Sequence, residues 1–169
     1  MTTLPSIEIK TPVGDMLAVA SSKGICLFEF MAVEDRLAKH ITHIEKAHKC
    51  RVALGDSPFF EQLTTELNEY FAGKRQRFDV PLDFNGTDFQ EQSWDALLNI
   101  PYGETRSYQD QAIAIKKPKA VRAVAGANHR NKISILIPCH RVIGKNGSLT
   151  GYGGEVWRKE FLLNLEAAS

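Results

Sequence analysis

Ser107-Tyr108-Gln109-Asp110-Gln111-Ala112-Ile113-Ala114-Ile115, then Lys116-Lys117-Pro118-Lys119, then Ala120-Val121-Arg122-Ala123-Val124-Ala125-Gly126-Ala127-Asn128, is the stretch that organises this chain. Ser107 is a helix-capping residue type at the head of a short helical run. The basic turn carries Pro118, which cannot continue that helix. A second short helix follows over 120–128. Two short helices joined by a tight turn predict a helix-turn-helix, with a plain packed pair as the alternative. The second helix is made of small side chains apart from Arg122. Small side chains permit close approach to a neighbouring helix or to a groove of DNA. Arg122 favours DNA, because burial between helices would leave its charge unpaired.

Upstream, 87–100 reads as a helix with Phe89, Trp94, Leu97 and Leu98 on one face, broken by Pro101-Tyr102-Gly103. The texture differs before Gly86. Short apolar runs at 7–9, 16–20 and 25–30 are punctuated by Pro12-Val13-Gly14-Asp15 and Ser21-Ser22-Lys23-Gly24, which predicts an antiparallel meander. Residues 33–48 read as an exposed helix. Ser57 caps a firmer helix that starts at Pro58 and carries Phe59, Leu63, Leu67 and Phe71 at helical spacing until Gly73. An extended segment at 80–84 contains Pro81, which argues for an edge position. The expected class is α+β: a small N-terminal antiparallel-sheet domain over 1–84, and a mainly helical domain with a helix-turn-helix over 85–169.

The 169 residues are 43% hydrophobic and 24% charged, values that exclude a disordered tail or a collagen-like fibre. The net charge of +1 hides an asymmetry. Residues 101–159 carry 11 Lys/Arg against 3 Asp/Glu, so this segment is +8 and the remainder −7. That is the pattern of a polyanion-binding surface or of an ordinary solvated face. Three cysteines, Cys26, Cys50 and Cys139, form no CxxC and cannot all pair, which suits a reducing, cytoplasmic compartment. The N-terminus begins no signal peptide, and no run approaches the roughly 18 apolar residues of a membrane span. His40, His43, His48 and Cys50 match no zinc spacing, so neither a metal nor a cofactor is expected.

Beyond the helix pair, Ser134-Ile135-Leu136-Ile137 reads as an apolar strand running into Pro138-Cys139-His140-Arg141-Val142. Positive charge beside a cysteine raises its thiolate fraction, so Cys139 is a candidate nucleophile. An inert buried thiol is the alternative. In an extended chain neighbouring side chains point apart, so His140 could reach Cys139 only through a backbone bend or a water.

The run Ile137-Pro138-Cys139-His140-Arg141-Val142-Ile143-Gly144, followed by Asn146-Gly147 and Thr150-Gly151-Tyr152-Gly153-Gly154, resembles the active-site signature of the O6-alkylguanine-DNA alkyltransferases, or methylated-DNA–protein-cysteine methyltransferases. Ile100-Pro101-Tyr102-Gly103, Ser107-Tyr108, Arg122-Ala123-Val124, Asn131, and Lys159-Glu160-Phe161-Leu162-Leu163 with Glu166 agree with it. The resemblance is close over about 85–166 and looser before. It implies a ribonuclease-H-like N-terminal domain and single-turnover DNA repair by a monomer. Its partner would be double-stranded DNA, bound through the minor groove and carrying O6-alkylguanine or O4-alkylthymine. It also implies roles. Cys139 accepts the alkyl group, His140 takes the thiol proton through a water, and Glu166 holds the imidazole. Tyr108 donates to the departing guanine, and Arg122 fills the space of the flipped nucleotide. Asn131 fixes the turn between recognition helix and active site, while Ala123, Arg130 and Lys119 contact DNA. Val142, Tyr152, Gly153 and Gly154 form the base pocket.

Three positions depart from the family pattern: Lys132 replaces a usual Pro, Gln111 an apolar residue, and Glu155 a glycine or small residue. They put loop rigidity, helix packing and the pocket rim in question. A damage sensor of the same fold that binds without transfer is the competing reading, although such relatives replace the cysteine that is kept here. A cysteine hydrolase would leave Arg122 unexplained.

Overall fold

Every side chain of Ile25–Phe30 (β3) is buried. β3 lies beside Met16–Ala20 (β2), which lies beside Thr3–Ile9 (β1), in an antiparallel meander with Met16 opposite Phe30 and Ile9 opposite Met16. The computed structural model describes residues 2–149 and 151–168. Thr150, part of the glycine-rich motif, lies outside the described residues. By its contacts the chain divides into two units, Met1–Asn85 and Gly86–Ser169.

In the first unit a fourth strand, Arg51–Leu54 (β4), pairs in parallel with β1 to give the order β3-β2-β1-β4. The sheet is therefore mixed. Three of the four β4 side chains are exposed, so the strand has no apolar alternation to announce it. Glu34–His48 (α1) ends where Lys49 turns left-handed at φ 53. It is not exposed all round, since Ile44, flanked by Leu37 and Ile41, packs on Leu4, Val19, Cys26 and Leu27. Pro58–Phe71 (α2) is capped by Ser57 and turns Phe60, Leu63, Leu67 and Tyr70 inward, one position off the predicted Phe59 and Phe71. Segment 80–84 bridges the edge of β3. The Ile25 amide donates to the Pro81 carbonyl (2.9 Å) and the Asp83 amide to the Ile25 carbonyl (2.8 Å), so the missing Pro81 N–H costs no ladder bond. Gly24 permits this approach: a Cβ there would stand 2.4 Å from the Pro81 oxygen.

In the second unit Asp88–Leu98 (α3) starts at a Thr87–Gln90 capping box. Trp94 and Leu97 are buried, Phe89 is half-buried, and Leu98 is exposed, so the inward face is narrower than predicted. Tyr108–Ala114 (α4), capped by Ser107 and Asp110, and Val121–His129 (α5) form the helix-turn-helix. Trp94 Nε1 donates to the Ala127 carbonyl (2.9 Å) and pins α5 to α3. Gln111 resolves its departure from apolar type in hydrogen bonds: its Nε2 donates to the Ser93 carbonyl (3.0 Å) and to Asn128 Oδ1 (2.9 Å), and Asn128 Nδ2 donates back to Gln111 Oε1 (2.7 Å).

The predicted strand at 134–137 is absent. The segment is a series of buried turns with Ile135 at φ 71. An apolar run is satisfied equally by a strand or by a turn whose side chains all find the core. Two short strands do exist: Arg106–Ser107 (β5) pairs in parallel with Val142–Ile143 (β6). Val156–Ala167 (α6) closes the unit. Among the described residues no helix is long and apolar enough to cross a membrane.

Candidate active site

The β5–β6 ladder places Tyr108, the first residue of α4, next to the chain that leaves Cys139. Cys139-His140-Arg141 form a single 3-10 turn. The backbone is thus bent where the sequence suggested an extended run, and the geometry that kept adjacent side chains apart no longer applies. Cys139 is 8% exposed, and the adjoining His140 is fully buried.

Asn131 organises the approach to this turn. Its Nδ2 donates to the Ile137 carbonyl (3.0 Å) and to Cys139 Sγ (3.3 Å), while its Oδ1 accepts from the Ile133 amide (3.0 Å). Lys132, in the place of a stiffening proline, extends over the Trp94 ring at 5.4 Å. The loop is held by the Asn131 amide instead.

His140 Nε2 lies 2.7 Å from Glu166 Oε2. Burial alone would raise the Glu166 carboxyl, but the hydrogen bond from His140 and the hydrogen bonds and charge of Arg141 hold it well below the usual carboxylate range. An ionised carboxylate only accepts, so Nε2 carries the proton and Nδ1 is left as a base. Nδ1 is buried and bonds no described residue. Burial lowers the His140 pKa against the pull of Glu166, which keeps the ring neutral.

Arg141 and Lys159 acquire roles the sequence did not disclose. Arg141 grips Glu166 through Nε (2.8 Å) and Nη2 (3.1 Å) and donates from Nη1 to the Ile100 carbonyl (2.8 Å). The Gly103 amide adds a fourth donor to Glu166 at 3.3 Å. Lys159, 1% exposed, donates from Nζ to the Val142 carbonyl (2.5 Å) and stands 5.9 Å over the Tyr152 ring. Burial pulls Lys159 below the ordinary lysine range while the charge of Cys139 pulls it back up. Tyr108 is raised by burial and then by the charge of Cys139, so its hydroxyl stays protonated and able to donate. A signal for both cations existed in their position beside the Cys-His pair and on the helix of Glu166, but charge alone reads as solvated.

The pocket candidates lie around the same point. Val142, Tyr152 and Gly154 are buried, Gly153 is half-buried, and a Cβ at Gly151 would stand 3.1 Å from the Tyr108 hydroxyl. Arg122, Ala123, Lys119 and Arg130 are not drawn into this cluster; all four are exposed on α5 or its flanking turns. Arg130 donates from Nη1 to the Gly126 carbonyl (3.2 Å). Arg141, Arg158 and Lys159 are buried, so the basic surface is smaller than the +8 segment suggested. His40 faces Glu29 at 3.5 Å, and among the described residues no group of three His, Cys, Asp or Glu side chains could hold a metal.

Residues 88–168 match the family described as 6-O-methylguanine DNA methyltransferase, DNA binding domain, and residues 7–84 match its ribonuclease-like domain. The chain is 44% identical over 158 residues to a methylated-DNA–protein-cysteine methyltransferase of Methanosarcina barkeri, with 94% of each chain covered. It is 45% identical over 161 residues to the constitutive one of Bacillus subtilis, covering 95% of this chain and 93% of that one. The crystal structure of Mycobacterium tuberculosis OGT in complex with DNA superposes with a TM-score of 0.81 at 41% identity, covering 99% of this chain and 94% of that one.

Proposed function

The chain belongs to the methylated-DNA–protein-cysteine methyltransferase family, and from that membership we propose that Cys139 takes the alkyl group from O6-alkylguanine in double-stranded DNA. Its activity is DNA repair by transfer of an alkyl group to a cysteine of the protein itself. The observation that supports Cys139 is the buried set around it: Asn131 Nδ2 on its sulfur, and His140 fixed by Glu166 as a neutral base in the same turn. Cys26 lacks such a setting. Burial, then the charge of Asp83, push its thiol up to about 12.

In this reading His140 Nδ1 takes the thiol proton through a water. The sulfur attacks the alkyl carbon, the S–C bond forms, and the C–O6 bond breaks with its electron pair passing to guanine. Tyr108 donates to that developing charge. The product thioether has no acidic proton and no good leaving group, so each chain acts once. A base inside a duplex is out of reach, and extruding it costs roughly a few kcal/mol. Arg122, exposed on the small-residue face of α5, fills the vacated stack from the minor groove, with Ala123, Lys119 and Arg130 on the backbone. O4-alkylthymine offers the same alkyl–oxygen bond and is a second substrate. Residues 85–169 then form the DNA-binding and alkyl-transfer domain and residues 1–84 the N-terminal domain of a cytoplasmic monomer.

Intact mass after incubation with duplex DNA containing O6-methylguanine tests this reading. One methyl per chain, mapped to Cys139 and lost in Cys139→Ser, is expected. Methylation of Cys26 or Cys50, or product in excess of protein, overturns it. Tight binding without mass gain points to a sensor instead.

A further inference from the structure

Glu155 sits at φ 77, ψ 147, a left-handed backbone region that glycine enters freely and a glutamate does not. Such a conformation persists only where its surroundings over-determine it. Here one guanidinium does so. Arg158 Nη1 donates to Glu155 Oε1 (2.8 Å) and to the Gly154 carbonyl (3.2 Å), and the same group lies 4.4 Å over the Trp157 ring. The Arg158 side chain is 5% exposed, so its end of the pair is withdrawn from water and weakly screened by salt. The Glu155 amide donates to the Tyr152 carbonyl (3.2 Å), and the Lys159 amide to the Glu155 carbonyl (3.3 Å). Residues 154–155 are therefore tied to the first turn of α6 through Arg158 and Lys159, and Tyr152 is tied in turn to Glu155.

We propose that the Glu155–Arg158 pair is a latch that restrains the rim at 152–154 and so limits the size of the alkyl group that reaches Cys139. The inference rests on Cys139 being the acceptor. Cys139 is 8% exposed, and a Cβ at Gly151, beside the rim, would stand 3.1 Å from the Tyr108 hydroxyl. In this reading a large substituent displaces the rim, and displacement breaks both Arg158 hydrogen bonds to residues 154 and 155. A methyl group demands less displacement. Glu155 is then a positioning and specificity-determining residue that need not touch the base.

The test compares transfer to Cys139 from free O6-methylguanine and free O6-benzylguanine, which removes base extrusion from both rates. Glu155→Gly cuts the latch and relieves the backbone. Glu155→Gln keeps the shape and a neutral hydrogen bond. The benzyl-to-methyl rate ratio should rise at least fivefold in Glu155→Gly and less in Glu155→Gln. Position 155 is exposed and glutamine keeps an acceptor oxygen for Arg158, so this variant removes the charge without removing the hydrogen bond, and its urea midpoint checks that it is folded. A ratio within twofold of the unchanged chain in both variants overturns the latch. So does a benzyl rate that stays below detection in all three proteins while methyl transfer proceeds. Should the unchanged chain gain no methyl on Cys139 even from duplex DNA, it is the acceptor assignment that fails.

Discussion

Replacing Glu166 by Gln should cost the fold as well as the chemistry, and the two costs can be separated. Glu166 accepts four N–H groups, from His140, twice from Arg141, and from Gly103. A glutamine offers one acceptor oxygen and turns an NH2 toward donors. Among the described residues, Arg141, 7% exposed, then keeps its charge with only the Ile100 carbonyl and the Tyr102 ring, 5.7 Å away, in compensation. Breaking one side of a buried ion pair typically costs about 3–5 kcal/mol, because the surviving charge stays desolvated. Removing both sides costs far less. Arg141→Met combined with Glu166→Leu should therefore recover most of the stability lost in Glu166→Gln. Urea unfolding followed by tryptophan fluorescence at pH 7.5 gives these differences, and methyl transfer to Cys139 gives the other axis. The double variant should be folded yet at least a hundredfold slow, since His140 has lost the acceptor that fixes its tautomer. A loss below about 1 kcal/mol in Glu166→Gln would refute the buried-pair reasoning. Normal transfer by the double variant would refute the role of Glu166 in orienting His140.

Acid should destabilise the protein in two stages. His140 and Glu166 both have folded pKa values below their unfolded ones, so the unfolded chain binds more protons and stability rises with pH. The His140 contribution is whole above about pH 6.5 and fades as pH falls below it, with the Glu166 contribution following below about pH 4.3. A thermal midpoint that stays level from pH 7.5 to 4 contradicts this. Gln111→Leu should lose roughly 1–3 kcal/mol by leaving the Asn128 amide buried without its partner, and Gln111→Leu with Asn128→Met should regain most of it. Equal losses in the single and double variants, measured by urea unfolding, would count against the amide pair as a coupled unit. Arg122→Ala should slow repair of duplex DNA at least tenfold and repair of free O6-methylguanine little, whereas His140→Ala slows both alike. Equal losses on the two substrates for Arg122→Ala would place that residue in the fold rather than at the flipped base.

The helix starts were legible because capping chemistry is local: Ser57, Thr87 and Ser107 each stand at the head of a helix and accept a backbone amide two or three residues on. The turn at Pro101-Tyr102-Gly103 and the meander of β1 to β3 were equally readable from residue types over short spans. Cys139, His140, Asn131 and Glu166 could be named as a set, and the structure does gather them. Tertiary packing determined what no short span encodes. β4 has four residues and little apolar pattern, so only its pairing with β1 makes it a strand. Residues 134–137 are apolar because they are buried, and burial does not distinguish a strand from a turn. Arg141 and Lys159 counted as surface charge in the sequence, yet each is buried by partners distant along the chain, Ile100 and Glu166 for one and Val142 for the other. A side chain's charge is written in its own residue, whereas the dielectric around it is set by every element that packs against it.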